Sequence, residues 1–169
     1  MKNIRNKYIP YMKDYEKIGL EWHPNIMFFQ RSKYKSNSVN TDDFGFRITS
    51  SKKGQFSPQT IFKSKKNENI NLIIGGSTAF GVGASSDKKH LASLMTSMTG
   101  NKYLNFGGRA FNSDQEIMLF KNFLNRLNNL KEVIIFSGAN DLYLSSIDTK
   151  WQLIFGYLKT RQPAEFLNE

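Results

Sequence analysis

The sequence predicts an α/β protein whose parallel sheet lies between layers of helices, and three observations predict it. Short apolar runs at Ile70 to Ile74, Tyr103 to Phe106 and Val133 to Phe136 are each followed by a glycine-bearing turn. Stretches with helical spacing separate the runs. The runs are continuous rather than alternating, the pattern of strands covered on both faces in a sheet built from strand–helix–strand units.

Each element has its own signal. Ile70 to Ile74 enters the tight turn Gly75-Gly76-Ser77-Thr78. Asp87 then serves as an expected N-cap for a helix carrying Leu91, Leu94, Met95 and Met98 at i, i+3, i+4 and i+7, closed by Gly100. The second strand leads into Gly107-Gly108. Ser113 and Glu116 have the spacing of a capping box, opening a helix with Ile117, Phe120, Leu124 and Leu127 on one face. The third strand runs into Gly138-Ala139-Asn140-Asp141. Ser146 or Asp148 is placed to cap a last helix with Trp151, Ile154, Phe155 and Leu158, limited by Pro163.

Upstream, residues 1–66 read as an irregular, basic segment rich in aromatics, including Tyr8, Tyr11, Tyr15, Trp22, Phe28, Phe29 and Tyr34, with no sustained period. So many rings need something to bury against. Ser50 to Ser57, with Lys52-Lys53-Gly54 inside, reads as a loop. The expected organisation is this segment followed by an α/β unit over 67–169. There is no internal repeat.

The 169 residues suffice for one hydrophobic core. The absence of cysteine excludes disulfides and thiolate chemistry, and with two histidines, His23 and His90, the usual zinc ligand sets are not available. No cofactor and no metal are expected. The basic N-terminus lacks an apolar stretch behind it and no long apolar run follows, so a cytoplasmic protein is expected. The net charge of +10 would ordinarily suggest a nucleic acid or an anionic membrane. Residues 1–66 carry 14 Lys/Arg against 5 Asp/Glu, however, so the charge sits away from the glycine-rich turns. Nucleic acid is not the expected partner, and any polyanionic partner belongs to residues 1–66.

In a parallel sheet the turns after the strands share one edge, where such folds place ligands. A serine on a glycine-flanked turn is open to attack a carbonyl, and the resulting oxyanion needs preorganised donors. Ser77 supplies the first; its own N–H, an N–H of the second turn and the Asn140 amide can supply the others.

On these residues the chain resembles SGNH (GDSL-like) serine hydrolases. The family's first block reads Gly-Asp-Ser with a glycine four residues after the serine; Gly75, Ser77 and Gly81 match, and Gly76 stands where the aspartate is usual. Counting five from Asn105, the second block lands on Ala110 where glycine is usual, and the third, Gly-x-Asn-Asp, is matched by Gly138, Asn140 and Asp141. Asn40 to Arg47 is family-like and taken as structural. The resemblance, over about residues 40–145, implies a flavodoxin-like three-layer fold and a carboxylic-ester hydrolase, as an esterase, deacetylase or O-acyl transferase on a carbohydrate or lipid. It implies Ser77 as nucleophile, with the Ala110 N–H and the Asn140 amide as oxyanion hole.

The family's closing Asp-x-x-His block has no counterpart, since no histidine follows His90. A serine without that base is a poor nucleophile. The domain is expected to be truncated after the third strand and its following helix. His90 reads as a surface residue, His23 is no better a candidate for the base, and Asp141 and Asp148 read as a turn residue and a cap. Competing readings are an α/β-hydrolase elbow, from which Gly75 to Ala79 is one glycine short; an anion-binding turn, which lacks the usual Gly-Lys-Ser/Thr; and a non-catalytic interaction module with a basic N-terminal arm.

Overall fold

The computed structural model describes residues 2–64 and 68–146. The protein is α/β, with a three-stranded parallel sheet flanked by helices. Its strands are β5 (Ile70–Gly75), β6 (Lys102–Gly107) and β7 (Leu130–Phe136), in the order β6-β5-β7. They follow α1 (Lys2–Tyr8), α2 (Met12–Lys17), the hairpin of β1 (Leu20–His23) and β2 (Met27–Gln30), the hairpin of β3 (Thr49–Ser51) and β4 (Gly54–Phe56), and α3 (Pro58–Lys63). Helices α4 (Ser77–Phe80) and α5 (Leu91–Thr99) separate β5 from β6. Helix α6 (Ser113–Phe123) and a 3-10 turn at Leu124–Arg126 separate β6 from β7, and α7 (Ala139–Ser145) follows β7.

Strand alternation assigns each helix to a face. Ile70, Leu72 and Ile74 of β5, with Leu104 and Phe106 of β6, pack under Leu119 and Phe123 of α6. Ile73 and Tyr103 face the other way, against Ala79 of α4 and Ala92 of α5. Strands β5 and β6 are thus covered on both sides. Strand β7 departs from the expected double burial: among the described residues it forms one edge of the sheet, and Ile135 is 73% exposed.

Residues 2–64 depart from the expected irregular segment. Their elements are three to seven residues long, too short to display a period. Ile26, Phe28, Phe29 and Phe46 belong to the same core as the central sheet, with Phe46 in edge-to-face contact with Phe123 at 5.0 Å. Ser50 to Ser57, expected as a loop, is mostly the β3–β4 hairpin, with Lys52 and Lys53 at its tip.

The helices lie where expected but with different faces inward. Helix α5 buries Ala92, Ser93 and Thr96, while Met98 is 85% exposed and Leu94 is also exposed. Small residues win that face because α5 runs close to β3, where Ser93 Oγ accepts from Ser50 N at 2.9 Å. In α6, Leu119 and Phe123 are buried and Ile117 faces out; Leu124 is also exposed. The helix anticipated from Ser146 or Asp148, with Trp151 to Leu158, falls outside the described residues, apart from Ser146, the C-cap of α7. Among the described residues no helix is long and apolar enough to cross a membrane.

Candidate active-site cleft

The chain passes from β5 to β6 on one side of β5, then returns to β7 on the other, so the connections diverge at the carboxyl ends of β5 and β7. Such a switch point leaves a crevice that neighbouring loops cannot fill. A cleft of about 120 Å³ lies there, lined by Gly76, Ser77 and Thr78 from the first turn, Ser137 to Asn140 from the third, and Phe111, Glu116 and Phe136.

Ser77 is the first residue of α4, half-buried, directly after the strand. Its helix is short and firmly held. At Gly107, where β6 passes beneath, an added Cβ would collide with the Phe80 backbone, so only glycine allows this approach. Asn105 Nδ2 donates to Ala79 O at 3.0 Å and Phe80 O at 3.3 Å. From the far side Arg47 Nη1 donates to Phe80 O at 3.1 Å and Gly81 O at 2.7 Å.

That arginine is fully buried. Its Nη2 donates to Ser38 O at 2.8 Å and its Nε to Asp87 Oδ1 at 3.0 Å, while Asn40 Nδ2 donates to Asp87 Oδ2 at 2.6 Å. Asp87 therefore anchors Arg47 instead of capping α5, whose N-cap residue is His90. The segment Asn40 to Arg47 braces the turn that carries Ser77.

Asn140 lies in the first turn of α7 and donates through Nδ2 to Phe111 O at 2.5 Å. Since that amide nitrogen carries two hydrogens, one bond to Phe111 leaves a second N–H. Ser77 and Asn140 thus share one cleft. Ala110 is not among the lining residues; it precedes Phe111 with φ 60°, a left-handed conformation that favours glycine.

Both histidines are committed elsewhere. His90, expected at the surface, is 1% exposed, its Nε2 lying 3.0 Å from Ile48 O and 3.1 Å from Ser93 Oγ, its Nδ1 3.3 Å from Asn105 Nδ2. Burial first, and the nearby Arg47 charge second, push its pKa down to about 3, so it is neutral at physiological pH. His23 stands on β1 against Pro24 O.

The residue missed in the sequence is Glu116. The capping box of α6 is formed one residue earlier, by Asn112 and Gln115, with Gln115 N donating to Asn112 Oδ1 at 3.0 Å. Asn112 and Gln115 have the same i, i+3 spacing, which was the available signal. Glu116, released from capping, is 3% exposed and turns to the cleft. Burial raises its pKa to about 7; the Ser137 hydroxyl bonded to it works against the rise and the charge of Asp141 adds to it. Among the described residues no group of three or more His, Asp or Glu is arranged to hold a metal ion.

No protein-family model matches the chain, and no curated protein matches it.

Proposed function

We propose that the protein is a serine hydrolase of SGNH type acting on carboxylic esters, as an esterase, deacetylase or O-acyl transferase on a carbohydrate or lipid. The observation that carries this reading is the convergence of Ser77 and Asn140, 63 positions apart in sequence, on one cleft at the switch point of the sheet. Ser77 Oγ attacks the ester carbonyl and gives up its proton to a base; the carbonyl oxygen takes the negative charge and accepts from Asn140. Collapse breaks the ester C–O bond and releases the alcohol, and water, or a second alcohol in the transferase form, removes the acyl group. Ala110 follows as an oxyanion donor only through its N–H, from the second turn. The base is neither His90, neutral and enclosed, nor His23 on β1; the resemblance implies an Asp-x-x-His pair, which has no counterpart in this sequence because no histidine follows His90.

The test is labelling by a fluorophosphonate probe of protein expressed from its native reading frame, against its Ser77→Ala variant. Label lost on substitution supports the reading; equal label on both removes it. That second outcome favours a cleft that binds without turnover, a reading motivated by the commitment of both histidines elsewhere.

A further inference from the structure

We propose that Glu116 is a working residue of the cleft, a carboxyl whose ionisation sets the charge that meets an oxyanion formed at Ser77 and held by Asn140. The chemistry of this assignment rests on the ester-hydrolase reading; the placement of the carboxyl does not.

Three geometric observations carry it. Among the described cleft-lining residues Glu116 alone is ionisable. The capping work that its position suggests is performed by Asn112 and Gln115, so α6 does not need a carboxylate there. Residue 76 has no side chain, and the space beside it is already occupied: a Cβ at Gly76 would lie 3.2 Å from Asn140 Nδ2 and 3.7 Å from Glu116 Oε1. The Glu116 carboxyl and the Asn140 amide therefore meet the backbone beside Ser77 from the same side.

The surroundings determine what such a carboxyl does. From the turn after β7, Ser137 offers it a hydroxyl; from α7, Asp141 faces it with a second negative charge. Asp141 is itself held by Ser113, whose N and Oγ donate to Oδ1 at 3.0 and 2.6 Å, while Asp141 Oδ2 is buried without a hydrogen-bond partner. Helix α4 contributes Ser77 and Thr78 to the lining, neither of them charged. With no cation among the described lining residues, an ionised Glu116 repels an oxyanion in the cleft, whereas a protonated one does not. Its pKa, raised to about 7, puts the change within the physiological range.

The experiment uses the whole chain and two readouts. The side-chain amide signals of Asn140, assigned in an NMR spectrum through Asn140→Asp, are followed from about pH 5.5 to about pH 8.5. The expected result is a shift with a midpoint near 7 in the wild type that is absent in Glu116→Gln. A flat profile, or one retained in Glu116→Gln and so not due to Glu116, overturns the proposal. In parallel, fluorophosphonate labelling of Ser77 in Glu116→Gln is divided by that of the wild type at each pH. The ratio is expected to rise by about tenfold from the acid to the alkaline end. A constant ratio with Ser77-dependent labelling overturns the electrostatic role, whereas label indifferent to Ser77→Ala overturns the hydrolase reading and leaves the amide titration to decide the placement of Glu116. Glu116→Asp, which keeps the charge, guards against a folding artefact: it is expected to titrate the Asn140 signals where Glu116→Gln does not.

Discussion

Arg47 Nε donates to Asp87 Oδ1 at 3.0 Å, and both side chains are buried. The pair joins the segment before the first parallel strand to the loop before α5, and the same guanidinium holds the Phe80 and Gly81 carbonyls at the end of α4. Replacing Arg47 by alanine leaves the buried Asp87 without its counter-charge, with only Asn40 still donating to it, and takes one donor each from Ser38 O, Phe80 O and Gly81 O. The expected cost is about 3–5 kcal/mol of unfolding free energy, read by urea denaturation, with Ser77 labelling lost in the folded fraction. Lysine is expected to recover little, because a single ammonium cannot span the positions that the planar fork reaches. A change in stability close to zero for Arg47→Ala would refute the bracing role.

The pH dependence of stability contains two opposed contributions. His90 has a folded pKa near 3 against an ordinary 6.5, so below 6.5 the unfolded chain takes up a proton that the folded protein refuses. Its contribution is complete above 6.5 and is lost as pH falls toward 3, by at most about 1.4 kcal/mol per unit. Glu116 has the reverse sign: folded, it keeps its proton up to about 7 instead of 4.5, so its contribution is lost as pH rises through that window. Urea denaturation across the acid range is expected to show His90→Gln gaining on the wild type as pH falls. Glu116→Gln should gain as pH rises from about 4.5 to about 7. Parallel profiles for all three proteins would contradict both assignments.

Ala110 holds φ 60° in the second turn. The left-handed region costs a residue with a Cβ about 1–2 kcal/mol, against the smaller entropic cost of glycine in the unfolded chain. Ala110→Gly is therefore expected to stabilise the protein by about 0.5–1 kcal/mol, measured by thermal or urea denaturation, without loss of Ser77 labelling.

Asn140 tethers Phe111 O, and in the proposed reading its second N–H serves the oxyanion. Asn140→Ala is expected to lower the rate of Ser77 labelling by about 10²–10³-fold. The stability loss should be only about 1 kcal/mol, the worth of one hydrogen bond. A stability loss without a rate loss would leave Asn140 as a tether.

The parallel sheet was legible because β5 and β6 are covered on both faces, and double burial writes a continuous apolar run. What depended on partners distant in sequence was not. Met98 and Leu94 have helical spacing, yet the packing of β3 against α5 demands the small residues Ala92 and Ser93 instead. His90 is buried through Ile48 and Asn105, neither of which its local sequence announces. The hairpins of the first 56 residues bury aromatic rings from strands too short to carry a period. Of the candidate site, Ser77 and Asn140 were legible from the glycine turns. Glu116 was hidden by a capping pattern displaced by one residue, because Ser113 and Asn112 are both competent caps.

The central position of β5 also bears on how the protein emerges from the ribosome. Strand β5 is made first, yet its neighbours arrive later, β6 beginning at Lys102 and β7 at Leu130. Until Phe136 has left the exit tunnel, one hydrogen-bonding edge of a strand as apolar as Leu72-Ile73-Ile74 stays open to other chains. Nascent chains halted between Gly107 and Leu130 are accordingly expected to be chaperone clients, and addition of the last strand, rather than formation of the β5–β6 pair, to mark their release.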